Sequence, residues 1–146
     1  MPELIVRQRM QVNAPPERVW EVITTPEYTR QFMYGCDAVS DWQPGSALEW
    51  IGATNGVVYV KGNIVAIDRP RLLQYTTFDP NAADYEDVPE NYLTVTLELT
   101  PVDGGTEVRV AQGDFAKVQR REDHSQGAEA GWQAALEGIK RLAEGT

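Results

Sequence analysis

One long amphipathic helix, placed after a run of short strands, restricts the fold of this chain more than any other feature. Trp132, Ala135, Leu136, Ile139, Leu142 and Ala143 recur at helical spacing, with Glu137, Lys140, Arg141 and Glu144 off the stripe. The pattern predicts a helix from about Gln119 to Ala143. Gly127, Gly131 and Gly138 interrupt it, each at a cost of about 1 kcal/mol relative to alanine. They are expected to let the helix approach a sheet closely, unless Gly127 breaks it.

The strands that such a helix would pack against are legible upstream. Leu93, Val95, Leu97 and Leu99 alternate with Thr94, Thr96, Glu98 and Thr100, so one face is buried and the other wet. Further strands are predicted over Glu3–Asn13, Cys36–Asp41, Ser46–Ala53, Val57–Asp68, Arg71–Asp79 and Thr106–Phe115. Turn residues separate them: Gln43-Pro44-Gly45, Asn55-Gly56, Asp68-Arg69-Pro70 and Asp103-Gly104-Gly105. After the first strand, proline at positions 15, 16 and 26 opens two short helices, one through Thr24 and one through Met33. The order is therefore β-α-α-β-β-β-β-β-β-α. It implies an α+β fold in which a curved antiparallel seven-stranded sheet wraps around the C-terminal helix, as a single domain spanning 1–146.

Composition limits the partners. The chain has 146 residues, 42% hydrophobic and 24% charged, which is ordinary for a globular domain. With 22 acidic and 13 basic residues its formal charge is -9, and a surface so negative repels nucleic acid and anionic membrane surfaces. Cys36 is the sole cysteine, which excludes an internal disulfide and a multi-cysteine zinc site. The N-terminal residues lack the pattern of a secretory signal, and no apolar run is long enough to span a bilayer. The expected location is the cytoplasm.

Several stretches carry a resemblance. Val12-Asn13-Ala14-Pro15-Pro16-Glu17-Arg18-Val19-Trp20 forms an opening strand and helix start, and Gly62 to Thr76 a strand, proline turn and strand. Thr94 to Pro101 and Gly105 to Val110 form a last hairpin, and Gly131-Trp132 with Leu136 and Leu142 the final helix. In these the chain resembles the helix-grip (START/Bet v 1-like) superfamily, and within it the bacterial relatives of the C-terminal domain of the Hsp90 ATPase activator. The resemblance covers nearly the whole chain. It implies the helix-grip fold with a cavity between sheet and helix, but that fold hosts many activities. Relatives tend to carry tryptophan one or two residues after the Tyr75 position, where this chain has Thr76-Thr77-Phe78, so that part of the wall is expected to differ.

Candidate chemistry is sparse. His124, the sole histidine, lies in the polar run Arg121-Glu122-Asp123-His124-Ser125-Gln126 and reads as a solvated surface residue. No metal-ligand spacing and no nucleophile-elbow sequence is present. Cys36 reads as a small buried hydrophobe, and the acidic loop Asp79–Glu90 as solvated. Alternation places Leu48, Trp50, Leu73, Tyr75, Thr77, Val108, Val110, Gln112 and Asp114 on the concave face. Strand Val57–Asp68 is ambiguous: Val58, Val60 and Ile64 or Tyr59, Val65 and Ile67 could face inward, with a bulge near Gly62 switching between them. Gln112 and Asp114, if inward, require hydrogen-bond partners from protein, water or ligand. Tyr34, Tyr85 and Phe115 are expected around one rim, and Trp132 reads first as core packing and second as a ligand contact.

These features favour a binding module over an enzyme: a small, largely apolar molecule held between sheet and helix by Trp50, Tyr75, Gln112, Asp114, Trp132, Tyr34, Tyr85 and Phe115, with no cofactor or metal. One alternative is a cyclase- or hydrolase-type enzyme using Asp114 with Tyr75 or His124. Another is an Hsp90 co-chaperone-like interaction, and a homodimer is compatible with each.

Overall fold

The computed structural model describes residues 5–81, 86–113 and 121–145, the side chains of Glu90 and of 121–127 excepted. In chain order its elements are β1 (Val6–Val12), α1 (Pro16–Thr24), α2 (Pro26–Phe32), β2 (Cys36–Ser40), β3 (Ala47–Gly52), β4 (Val58–Asp68), β5 (Leu72–Thr77), a 3-10 turn at Pro89–Asn91, β6 (Leu93–Val102), β7 (Gly105–Gly113) and α3 (Arg121–Glu144). The strands form one antiparallel seven-stranded sheet in the order β1-β7-β6-β5-β4-β3-β2. The predicted α+β helix-grip architecture is the one observed.

Local chemistry explains the elements. Both short helices carry proline in their first turn, where the missing N–H would have no partner, and Thr25 in extended backbone separates them. α2 is fastened to the sheet by Thr29, which is fully buried. Its Oγ1 donates to the Cys36 carbonyl at 3.1 Å and accepts from the Ala38 amide at 3.0 Å.

α3 buries Trp132, Ala135, Leu136, Ile139 and Ala143, the stripe read from the sequence. Its principal neighbours are β1, α1 and α2. The last turn of α3 is tied down at two points. Arg18 donates from Nη2 to the Leu142 carbonyl at 3.1 Å, satisfying a helix end that otherwise lacks partners. The Asn13 amide donates to Glu144 Oε2 at 2.8 Å, and this bond, with the Lys140 ammonium, holds the Glu144 carboxyl below its usual range.

Two expectations need correction. α3 runs unbroken through Gly127. Gly138 serves approach to the helix pair rather than to the sheet: a Cβ there would lie 2.6 Å from Cβ of Phe32, at the end of α2. The helix crosses α2 there, and only glycine leaves room.

The ambiguity of β4 is resolved by register slips at other positions than Gly62. Trp50 pairs with Val60 but Ile51 with Val58, and Ile64 pairs with Tyr75 but Ala66 with Gln74. Tyr59 and Val65 are thus the extra residues, and both are exposed, while Val60, Ile64 and Ile67 pack into the core. Gly62 has a different purpose. A Cβ there would sit 1.8 Å from the Thr76 carbonyl oxygen of β5. Because the obstacle is backbone, no rotamer relieves it, and Gly62→Ala is expected to cost about 3 kcal/mol. Urea denaturation checks this; a loss within experimental error would mean that β4 and β5 separate freely at that point.

Candidate functional site

The helix covers only part of the concave face. Over β3, β4 and β5, between α3 and the end of α2, a cavity of about 1060 Å³ remains. The sequence explains why: where α3 passes this space it presents Ala128 and Gly131, too small to fill it, before Trp132 closes the inner end. Neither small residue was marked as a site residue by the sequence pattern, where Gly131 read as a point of close packing.

The strands β3 to β7 each contribute to the walls. Trp50 comes from β3, Val60 from β4, Tyr75 and Thr77 from β5, Val95 from β6 and Gln112 from β7. Trp50 and Tyr75 lie with ring centroids 6.1 Å apart and tilted by 47°. Arg30, Met33 and Cys36 close the side next to α2. The mouth is formed by exposed residues of two connections, Ala53, Thr54 and Asn55 after β3 and Asp79 after β5.

Tyr34 stands at this mouth, 72% exposed. It and Gly35 both have positive φ, 55° and 78°, a reversal that turns the chain from α2 into β2. Its hydroxyl donates to the Gly131 carbonyl of α3 at 3.2 Å, bridging the rim. Of the residues predicted for the site, Trp50, Tyr75, Gln112, Trp132 and Tyr34 all border this one cavity. Tyr85, Asp114 and Phe115 lie outside the described residues, as does the side chain of His124. Met33, Cys36, Val60, Phe78 and Leu93 were not selected as site residues from the sequence. Cys36, Phe78 and Leu93 lie at strand ends, Met33 caps α2 and Val60 lies inside β4, and alternation alone does not show which of these positions meet.

The polar groups in the wall divide into two kinds. Trp132, 6% exposed, donates its indole N–H to Gln112 Oε1 at 2.8 Å, and Gln112 Nε2 lies 3.4 Å from Thr77 Oγ1. Trp132 is therefore both core residue and wall, and the inward amide of Gln112 has protein partners. Tyr75 is 1% exposed, and among the described residues no group hydrogen-bonds its hydroxyl.

Charge is confined to the edge. Arg30 grips Asp37 with Nε to Oδ1 at 2.9 Å and Nη2 to Oδ2 at 3.2 Å, a bidentate pair. Burial, and secondly the neighbouring Asp37 charge, push the Cys36 thiol up, so it stays protonated. Beside the mouth, Lys61 pairs with Asp87, whose Oδ1 accepts from the Tyr92 hydroxyl at 2.6 Å. Tyr92 stacks on Phe78 with centroids 4.9 Å apart. This cluster pins the residues on both sides of the 3-10 turn onto β4. Among the described residues, no three histidine, cysteine or acidic side chains gather to hold a metal ion. No helix there is long and apolar enough to cross a membrane.

Residues 13–144 match the family described as Activator of Hsp90 ATPase homolog 1-like protein. The chain belongs to this family. A solution structure of a Cytophaga hutchinsonii protein is similar at 36% identity and TM-score 0.78, over 99% of this chain and 97% of that one. A crystal structure of a Mesorhizobium loti protein shares the fold at 24% identity and TM-score 0.76, over 94% of this chain and 95% of that one. The Aha1 dimer from Colwellia psychrerythraea shares it at 16% identity and TM-score 0.73, over 97% and 96% respectively. Comparison with curated proteins gave no match.

The buried phenol makes the cavity wall testable by pH. Desolvation raises the Tyr75 pKa above its ordinary range. An unfolded chain ionises this group near pH 10, whereas the folded chain holds it neutral, so its contribution is fully present below that pH and is lost above it. The stability of Tyr75→Phe relative to wild type should therefore improve by about 1.4 kcal/mol per unit above about pH 10. Urea denaturation between about pH 9 and about pH 11 reads this, and a constant difference would place the hydroxyl in water.

Proposed function

We propose that this protein binds a small, largely apolar molecule in the cavity between its sheet and α3. The carrying observation is a volume of about 1060 Å³ beside the packed core, walled by Trp50, Val60, Phe78, Leu93, Val95 and Trp132. Ligand sites of drug-sized molecules typically occupy ~300–1,000 Å³ with apolar walls and a few placed polar groups. Among the described residues the Cys36 thiol is protonated, and the Gln112 amide and Trp132 indole satisfy one another.

Native mass spectrometry of gently purified protein, followed by denaturation, tests the reading. A stoichiometric apolar adduct lost on unfolding is the expected result. Val60→Trp, which fills the cavity from β4, should lower occupancy at least tenfold without changing the far-ultraviolet circular dichroism. Undiminished occupancy in that variant would place the ligand elsewhere.

The family description favours a second reading, contact with a protein partner of the Hsp90 class. The dimer reported for the Colwellia psychrerythraea relative makes self-association a further possibility to measure. Stimulation of a bacterial Hsp90 ATPase by the wild-type protein and equally by Val60→Trp would show a role independent of the cavity; no stimulation and no binding would remove this reading.

A further inference from the structure

We infer that Tyr34 is a strap across the cavity mouth: its hydroxyl holds α3 against the turn between α2 and β2, and release of that bond admits bulky molecules to the cavity. Such a strap works whichever molecule the cavity takes, and its test needs no ligand.

The walls around the cavity differ in what fixes them. β3 to β7 are joined to one another by the sheet, and α2 is fastened to β2 through Thr29. The second half of α3 is tied at Arg18, at Asn13 and by the contact of Gly138 with Phe32. Near Gly131 the helix is held otherwise. Gln8 of β1 donates to the Glu129 carbonyl, and Trp132 donates to Gln112 of β7. Both bonds lie on the side of β1 and β7. Among the described residues, the bond from Tyr34 to the Gly131 carbonyl is the one hydrogen bond between residues 25–40 and α3. It lies about 10 Å along the helix from the Gly138–Phe32 contact.

This bond is suited to opening and closing. At 3.2 Å it is longer than the ~2.7–2.8 Å usual between two oxygens. The Gly131 carbonyl sits inside the helix ladder, so its intrahelical bond remains when the phenol leaves. Tyr34, 72% exposed, then bonds water, and opening orphans neither partner. The backbone beneath the phenol is fixed: the Gly35 amide donates to the Arg30 carbonyl at 3.1 Å, and the Ala53 amide to the Gly35 carbonyl at 2.9 Å. The reversal holds Tyr34 at φ 55°, a strained position for any residue but glycine, and places its phenol over the mouth. Gly131 leaves room for it, since a Cβ there would lie 3.3 Å from the hydroxyl and push it back.

Cys36, the sole cysteine, is buried in the cavity wall two residues from Tyr34, so its alkylation reads access directly. Mass spectrometry follows its reaction with N-methylmaleimide and with the bulky N-(1-pyrenyl)maleimide in wild type, Tyr34→Phe and Gly131→Ala. Each variant should react about threefold faster than wild type with the pyrenyl reagent, the worth of one weak hydrogen bond, and less than about twofold faster with the methyl reagent. Gly131→Ala should do so with an unchanged or higher urea midpoint, because alanine favours the helix, which separates opening from general loosening. An unchanged pyrenyl rate, equal acceleration with both reagents, or acceleration only alongside a lowered midpoint would overturn the strap. So would a thiol that neither reagent reaches until urea unfolds the chain. The adduct sought by native mass spectrometry is a separate readout, so the strap can fail while the binding reading stands, and the reverse.

Discussion

α3 lies in the trough of the sheet with Trp132, Ala135, Leu136, Ile139 and Ala143 buried, and the rest of the molecule is arranged around that contact. The helix is held off-centre. Its neighbours are β1 and the two short helices, its last turn is tied to Arg18 and Asn13, and Gly138 lets it press onto Phe32. A helix so placed cannot also cover β3, β4 and β5. Core and cavity are therefore two consequences of one packing decision, and the small residues Ala128 and Gly131 keep the uncovered part empty.

The polar groups on the inner face show how a hollow can be built at tolerable cost. Gln112 and Trp132 pair across the sheet–helix boundary, so each meets its requirement inside the protein. That bond also fixes the indole at the inner end of the cavity. Tyr75 differs in keeping its hydroxyl unspent among the described groups. Both residues are inward members of the same alternating pattern.

Much of this was legible in the residues. The stripe from Trp132 to Ala143, the alternation from Leu93 to Leu99 and the prolines at positions 16 and 26 each report a local geometric rule, and the structure follows them. Trp50, Tyr75 and Gln112 were legible as inward for the same reason, since period two is enforced by the pleat. β4 was not, because both of its faces carry apolar residues and the slips at Tyr59 and Val65 depend on how β3 and β5 pair with it. Gly138 was misread toward the sheet because helical periodicity gives a face but not its neighbour. The family relation, carried by motifs along nearly the whole chain, agrees with the match over residues 13–144.

What the sequence determined by itself was the order and type of the elements, the seven-stranded sheet and the apolar stripe of its helix, because these follow from periodicity and turn chemistry within short windows. Tertiary structure alone decided where the helix sits across the sheet, and hence that a cavity exists, which side chains share it and which hydroxyl in its wall has no described partner. Those properties depend on distances between residues far apart in the chain, and such distances are set by the joint packing of all the elements rather than by any segment of the sequence.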